Sequence, residues 1–309
     1  MSQPSERKIV VITKQTRADE LTKRFNNMTQ AAFYVKKMGG DIDEYVAEAK
    51  AYKQSVSASF GQLQALARVQ QIDRDYVPSF LFGEDDIVVV IGQDGLVANT
   101  LKYLNGQPLI AVNPDPARYD GVLLPFREED LPAIVQEVLA GRRPRKEITM
   151  AAAQLNDGQS LLAVNDFFVG RQSHVSARYN IRIDGREENQ SSSGIIVSTG
   201  LGSTGWLKSV IAGARGITGA LSGGEVYDGA VPLTWDSDHL YYSVREPFPS
   251  NTTGTKLVFG EITDALQITS QMPENGVIFS DGVEQDFLQF NSGIEATICV
   301  AAKKGYLVV

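Results

Sequence analysis

Five consecutive β-branched apolar residues, Ile87–Ile91, are the feature that most limits how this chain can fold. The run has no polar alternation, which is typical of a strand buried on both faces, as in a parallel sheet. It stops at Gly92, and an amphipathic segment with Leu101 and Leu104 follows. The sequence therefore predicts a buried strand, a tight turn and the start of a helix.

The predicted turn has the composition of a phosphate-binding loop. Gly92 and Gly95 allow the backbone to approach a ligand closely, and a helix N-terminus supplies free N–H groups and positive potential for phosphate. Asp94 lies between these glycines. Two interpretations stay open from these residues: the Asp94 carboxylate takes part in chemistry, or it caps the helix.

Strand and helix patterns alternate through the first 146 residues, which predicts an α/β domain with a mostly parallel sheet. The predicted strands are Lys8–Thr13, Ile87–Ile91, Pro108–Asn113 and Gly121–Leu124, and the predicted helices are Thr16–Met38, Val46–Ile72 and Glu128–Leu139.

Residues 147–289 contain short β-rich runs that follow each other without strong helical patterns, which predicts a β-rich, sandwich-like domain. Asp184-Gly185 is a strong hairpin signal, and Leu207–Ala212 is helix-like. The tail Gly305–Val309 is apolar up to its last residue, so we expect it to pair in a sheet. The predicted strands are Leu161–Asn165, Phe167–Val169, Tyr179–Ile183, Gly194–Ser198, Leu240–Val244, Lys256–Phe259, Leu266–Thr269, Val277–Phe279 and Thr297–Val300.

Composition excludes several classes of function. A formal net charge of -8 argues against general nucleic-acid binding, which needs a basic surface. Cys299 is the only cysteine, and His174 and His239 match no zinc spacing, so no protein-held metal is predicted. The sequence has no apolar run long enough to span a bilayer, so we expect a cytoplasmic protein without a membrane partner.

A second candidate site follows the predicted strand Gly194–Ser198. Ser203, Thr204 and Gly205 are small residues that expose backbone N–H groups, and Trp206 beside them offers an aromatic wall. Upstream, Asn165-Asp166 places an amide and a carboxylate at a strand end, where they suit a ribose or adenine edge. A structural loop and an Asx turn are the alternative interpretations.

Taken in order, these segments resemble the NAD kinase family over nearly the whole chain. The family has Gly-Gly-Asp-Gly-Thr after a buried strand, an Asn-Glu pair opening a β-domain, and a Val-Asp-Gly-Glu variant. A Gly-Leu-Ile-Val-Ser-Thr-Pro-Thr-Gly-Ser-Thr-Ala-Tyr signature and a late Asp-Gly turn complete the pattern. The matching residues here are Gly92–Leu96, Asn165-Asp166, Ile183–Arg186, Gly194–Trp206 and Asp281-Gly282.

The resemblance implies an enzyme that moves the γ-phosphoryl group of ATP, with Mg²⁺, to the adenosine-ribose 2′-hydroxyl of NAD. It implies Asp94 as the base, and phosphate or nucleotide contacts by Gly92, Gln93, Gly95, Leu96 and Asn113. It also implies NAD contacts by Asn165, Asp166, Ser203, Thr204, Gly205 and Trp206. Small-molecule nucleotides are then the partners, and a homodimer or homotetramer is expected. The resemblance also implies that the tail, about residues 290–309, returns to the first domain.

The chain departs from the family pattern at several positions. Gln93 replaces the second glycine and Leu96 the threonine of the first signature; Asp166 replaces a glutamate, and Trp206 a tyrosine. Ser193 stands where the family has an aspartate. These changes leave two alternatives: a catalytically weak dinucleotide-binding sensor, or a kinase of another hydroxyl acceptor such as a lipid or a sugar.

Overall fold

The computed structural model describes residues 5–223, 231 and 233–309. It divides into two compact units. The first runs up to Lys146 and includes Tyr306–Val309, and the second is Glu147–Gly305.

The first unit is a parallel sheet with helices. The strands lie in the order β2-β1-β3-β4, and Tyr306-Leu307 pairs in parallel with Pro108-Leu109 of β4. Short 3₁₀ helices cover Arg74–Ser79 and Glu128–Asp130. The elements are β1 (Ser5–Thr13), α1 (Arg17–Phe25), α2 (Met28–Lys37), α3 (Ile42–Gln64), β2 (Ala67–Asp73), β3 (Ile87–Ile91), α4 (Asp94–Leu101), β4 (Pro108–Val112) and α5 (Leu131–Leu139).

The predicted central strand is confirmed. Every residue of β3 is fully buried, with β1 on one side and β4 on the other. Ile87, Val89 and Ile91 pack on one face in a cluster that includes residues of α3 and α5. Burying each such side chain contributes about 1.5–3 kcal/mol, so this strand is the core of the first unit.

Three predictions in the first unit were wrong. The helix predicted over Thr16–Met38 is two helices, because Asn26 adopts a left-handed conformation (φ 53°) that ends α1. The helix predicted over Val46–Ile72 ends at Gln64, and the rest forms β2, whose polar residues are tolerated at a sheet edge. Gly121–Leu124 forms a turn, not a strand.

The second unit contains two antiparallel sheets. One has the order β16-β13-β8-β9, with β5 beside β16 and β6 beside β5; the other has the order β12-β11-β10-β7-β14-β15. The elements are β5 (Arg145–Leu155), β6 (Ser160–Ala163), β7 (Asp166–Arg171), β8 (Ala177–Ile183), β9 (Arg186–Ser192), β10 (Ile195–Ser198), α6 (Trp206–Ser222), β11 (Leu240–Val244), β12 (Phe259–Ile262), β13 (Leu266–Ser270), β14 (Gly276–Ser280), β15 (Phe287–Gln289) and β16 (Glu295–Val308).

The core of the second unit lies between these sheets. Tyr179 and Ile181 of β8 share one buried cluster with Phe167 and Val169 of β7. Phe168, which points to the opposite face of β7, packs instead with Trp206 at the start of α6. The predicted fold class, an α/β domain followed by a sandwich-like β domain, is confirmed.

Local predictions in the second unit differ in their outcomes. The Asp184-Gly185 hairpin is confirmed: both residues have positive φ (49° and 71°), and β8 pairs with β9 across them. The predicted helix Leu207–Ala212 is longer, Trp206–Ser222, and the strand predicted at Lys256–Phe259 begins only at Phe259. No strand was predicted for β9, since its sequence Arg-Glu-Glu-Asn-Gln-Ser-Ser is polar.

The break between α1 and α2 gives a first testable prediction. Asn26 is exposed, so its substitution changes backbone preference with little effect on packing. We expect Asn26→Ala to lower the free energy of unfolding by about 1 kcal/mol, because a left-handed conformation is costly for alanine. Asn26→Gly should match or exceed the wild type. Urea denaturation of the three proteins checks this, and equal midpoints would contradict it.

Candidate functional site

The first group of candidate residues lies where β3 meets α4. The Gly92 N–H donates to the Val112 carbonyl (3.2 Å), which holds the loop against the end of β4. Gln93 precedes the first residue of α4, Asp94. Gly95 is exposed, and a Cβ placed on it would meet no atom within 4 Å. Packing within the unit therefore does not require glycine at position 95. A ligand that comes close to the backbone at this position would require it.

The Asp94 carboxylate is held by another loop. It accepts hydrogen bonds from the backbone N–H groups of Leu123 (2.9 Å) and Val122 (3.2 Å). Gln93, not Asp94, occupies the N-cap position of α4. Of the two interpretations of Asp94, helix capping is thus wrong, and the carboxylate has a fixed position beside the open Gly95.

Leu96 and Asn113, both predicted to bind nucleotide, are buried. Leu96 packs over Gly92, where a Cβ would lie 2.8 Å from the Leu96 side chain. The Asn113 amide donates to the Tyr119 carbonyl (2.9 Å) and accepts from the Asp115 N–H (3.1 Å). In this structure the two side chains hold the loop, and their contact with a nucleotide stays a prediction.

Gln93 belongs to a polar network that connects the loop to α1 and α3. Its side chain lies beside the Tyr119 hydroxyl, which donates to Glu48 (2.7 Å). Glu48 is buried and also accepts from Arg17 Nε (2.8 Å). Burial alone would raise the pKa of Glu48, but the hydrogen bonds from Tyr119 and Arg17 outweigh it and lower that pKa. The residue that departs from the family glycine thus has a partner inside the unit.

Two polar residues close to this network, Lys14 and Tyr52, were missed in the sequence. Lys14, whose pKa is lowered by burial, follows β1, and its backbone N–H donates to the Tyr52 hydroxyl (2.8 Å). Tyr52 in turn donates to the Ile91 carbonyl at the end of β3 (3.1 Å), and burial raises its pKa to about 12. The only available signal was position: Lys14 follows the carboxyl end of a parallel strand, where open α/β sheets bind ligands.

The second group of candidate residues lies at the start of β7, in the second unit. The Asp281 carboxylate accepts hydrogen bonds from the backbone N–H groups of Asn165 (2.6 Å), Val164 (3.1 Å) and Asp166 (3.4 Å). The Asp281 N–H donates to the Asp166 carbonyl (3.0 Å). These contacts hold Asn165 and Asp166 in place at the start of β7. They use the backbone atoms of the two residues and not their side chains.

The glycine-rich signature packs directly on this strand end. The buried Thr199 hydroxyl donates to the Val164 carbonyl (2.6 Å) and accepts from the Gly202 N–H (3.2 Å). A Cβ on Gly202 would lie 2.0 Å from the Asn165 carbonyl oxygen. The structure thus brings Asn165 and Asp166 together with the loop that begins at Thr199, and it explains why position 202 is a glycine.

The remaining signature residues form a 3₁₀ turn and the start of α6. The Ser203 hydroxyl donates to the Gly200 carbonyl (2.7 Å), and the Thr204 hydroxyl to the Leu201 carbonyl (3.4 Å). Gly205 precedes α6. Trp206 stacks on Phe168, with ring centroids 5.9 Å apart and an angle of 8° between the planes. The Trp206 ring thus packs against β7, and its role as an aromatic wall for a ligand stays a prediction.

Asp166 has a strongly perturbed carboxyl group in this second site. It is only 8% exposed. Burial, together with the negative charge of Asp281, raises the pKa of Asp166 to about 7. Near neutral pH this carboxyl is therefore divided between its protonated and ionised forms, so it can donate or accept a hydrogen bond.

Two further properties concern the described part of the chain. It contains no group of three or more His, Cys, Asp or Glu side chains placed to hold a metal ion. Among its helices, none is long and apolar enough to cross a membrane.

Comparison with curated proteins finds NAD kinases. The NAD kinase of Burkholderia cenocepacia is 33% identical over 138 residues, and that of Burkholderia pseudomallei is 31% identical over 137 residues. Each match covers 42% of this chain and 45% of the relative, so the match spans less than half of either protein. No family model matches the chain.

Solved structures match almost the whole chain. A yeast NADH kinase in complex with NADH has a TM-score of 0.59 at 15% identity and covers 99% of this chain and 84% of its own. An NAD kinase from Archaeoglobus fulgidus in complex with ATP has a TM-score of 0.57 at 17% identity and covers 98% and 93%. The fold is that of the NAD kinases, and the resemblance first seen in the motifs is confirmed.

The close approach of Gly202 to β7 gives a second prediction. We expect Gly202→Ala to destabilise the protein by more than 2 kcal/mol, because the added methyl group would displace a backbone carbonyl. Gly213→Ala, in the exposed part of α6 with open space around it, is the matched control and should stabilise by up to about 1 kcal/mol. Thermal unfolding compares them; a Gly202→Ala protein as stable as wild type would contradict the described packing.

The raised pKa of Asp166 gives a third prediction. A carboxyl whose folded-state pKa lies above its unfolded value destabilises the folded state increasingly as pH rises from about 4 to 7. Asp166→Asn removes this penalty, so its stability relative to wild type should increase by roughly 2–3 kcal/mol between pH 5 and pH 8. Urea denaturation at both pH values measures the change.

The matched control for that experiment is Asp264→Asn, which removes an exposed carboxylate from the same unit. It gives the baseline effect of losing one negative charge. A pH dependence for Asp166→Asn that equals this baseline would mean that Asp166 is not perturbed.

Proposed function

We propose that this chain, which has the fold of the NAD kinases and resembles them in sequence, transfers the γ-phosphoryl group of ATP to the adenosine-ribose 2′-hydroxyl of NAD. The observation that carries the proposal is Asp94 at the head of α4, its carboxylate fixed by two backbone N–H groups beside the open Gly95. Phosphoryl transfer depends mainly on positioning and on charge stabilisation, and this loop is arranged for both.

Asp94 acts on the attacking hydroxyl in this proposal. The 2′-oxygen forms a bond to the γ-phosphorus, the bond from that phosphorus to the β–γ bridging oxygen breaks, and ADP leaves. The hydroxyl proton passes to Asp94 and from there to solvent. A positioned base of this kind contributes about 10²–10⁴-fold to the rate.

The head of α4 receives the phosphates. The first backbone N–H groups of a helix have no acceptor within the helix, and here they adjoin Gly92 and Gly95. Mg²⁺ enters as part of the substrate, bound to ATP, and is held by phosphate oxygens and water.

The second site binds the dinucleotide. Asn165 offers an amide and Asp166 a carboxyl to ribose hydroxyls, while the turn of Ser203 and Thr204 keeps hydroxyl lone pairs available as acceptors. Gly205 and the ring of Trp206 complete the adenosine pocket. We extend the proposal to a cytoplasmic homodimer or homotetramer, as the family resemblance implies.

A catalytically weak dinucleotide sensor is the second candidate function. The observation behind it is that Gln93 lies beside the Tyr119 hydroxyl and that Leu96 is buried, so neither side chain replaces the polar groups of the family loop. In a sensor, NAD binds but no NADP forms. The comparisons favour neither this sensor nor a lipid or sugar as the acceptor.

The fourth prediction tests the enzyme against the sensor. With purified protein, NAD, ATP and Mg²⁺, we expect NADP formation by the wild type and a 10²–10⁴-fold lower kcat for Asp94→Asn, on the order of what a lost base costs. Asp120→Asn, which removes an exposed carboxylate from the neighbouring loop, is the control and should keep the wild-type rate.

Calorimetric titration with NAD accompanies the assay. Equal NAD affinity for wild type and Asp94→Asn shows that the variant loses chemistry and not binding. NAD binding without turnover in the wild type would favour the sensor, and unchanged turnover in Asp94→Asn would remove Asp94 from the mechanism.

A further inference from the structure

A second pocket lies in the second unit, away from the residues discussed above. Its volume is about 700 Å³, which is in the range of small-ligand sites, and Arg171 and Arg178 both line it. Arg171 is the last residue of β7, whereas Asp166 is the first. Five steps of about 3.3 Å place the two residues roughly 17 Å apart, so this pocket lies at the opposite end of the strand.

Arg171 has hydrogen-bonding capacity that its own unit does not use. Its side chain is only 14% exposed, and its Nε has no hydrogen-bond acceptor among the residues that the structure describes. Arg171 forms an ion pair with Glu274, whose carboxylate lies 3.6 Å from a terminal nitrogen and is largely exposed. A buried guanidinium N–H without an acceptor is costly, and a bound anion would relieve that cost.

Arg178 and Ser191 add donors to the same pocket. They are directly opposite each other on β8 and β9, which brings their Cβ atoms to about 4.5–5.5 Å. Within the described ranges, neither side chain makes a hydrogen bond or ion pair. Two guanidinium groups and a hydroxyl are thus directed at one space, a donor set that suits the oxygens of a phosphate or carboxylate.

The rest of the lining is mixed: Ser176 and Gln271 are polar, and Val175, Phe248, Met272 and Pro273 form an apolar part. Phe248 is 63% exposed and Val175 is 49% exposed, and both line the pocket. An exposed aromatic ring next to paired arginines fits a ligand with a planar or apolar body and an anionic head.

We propose that this pocket binds a small organic oxyanion, with its phosphate or carboxylate on Arg171 and Arg178 and its apolar body against Phe248. The proposal does not depend on the kinase activity, because none of these residues belongs to the loop of Asp94 or to the site of Asp166.

Isothermal titration at low ionic strength tests the proposal with phenyl phosphate, benzoate and phenol. We expect saturable binding of phenyl phosphate or benzoate, and the comparison of the two shows which head group is preferred. Phenol, which has the ring without the anion, should bind at least tenfold more weakly. The absence of binding by both anions up to about 10 mM, or equal binding of phenol, would overturn the proposal.

Variants locate the site. Arg178→Ala should weaken binding at least tenfold, and Phe248→Ala several-fold. Arg182→Ala, an exposed arginine on the same strand that pairs with Glu187 instead, is the matched control and should bind like wild type. Since Arg178 is exposed, its loss should leave the unfolding temperature unchanged.

Two results would show that the inference is wrong. One is unchanged affinity in Arg178→Ala. The other is a change of sedimentation coefficient in Phe248→Ala without loss of probe binding, which would mean that this surface is a contact between subunits.

Discussion

The burial of β3 on both faces is the constraint on which the first unit depends. Its five side chains are fully buried, and its neighbours β1 and β4 hold it in register. The strand therefore cannot shift without exposing several apolar side chains. Because Gly92 is also bonded to the end of β4, the loop that carries Asp94 starts from a rigid point.

In both candidate sites an aspartate carboxylate holds a neighbouring segment by accepting hydrogen bonds from its backbone N–H groups. Asp94 accepts the backbone N–H groups of Val122 and Leu123, and Asp281 accepts those of the residues from Val164 to Asp166. Hydrogen bonds to a charged acceptor contribute about 1.5–3 kcal/mol. A loop with no regular secondary structure thus acquires a defined position, which a phosphoryl-transfer site requires.

The structure gives a physical reason for two departures from the family pattern, Gln93 and Leu96. Gln93 lies beside Tyr119, which is connected through Glu48 to Arg17, and Leu96 fills the space over Gly92. Each replaced residue has a partner elsewhere in the unit. The changes in the first signature are therefore matched to their surroundings, and the loop backbone is still presented beside Asp94.

Much of the fold was predictable, because it follows from short-range patterns. The β-branched run of β3, the Asp184-Gly185 turn and the glycine-rich signature are local, and each was identified correctly. The errors fall where local pattern conflicts with context: β2 and β9 are polar because they are edge strands, and the helix over Thr16–Met38 breaks at the left-handed Asn26.

The sequence alone determined the central strand, the order of the two kinds of domain and the identity of Asp94 as a candidate base. Only the tertiary structure decided what holds that carboxylate, where Gln93 and Leu96 find their partners, and which acid has a raised pKa. The reason is distance along the chain: Tyr119 and Glu48 are 71 residues apart, and Asp281 and Asn165 are 116 apart. Such contacts form only when the chain folds, so no local pattern records them.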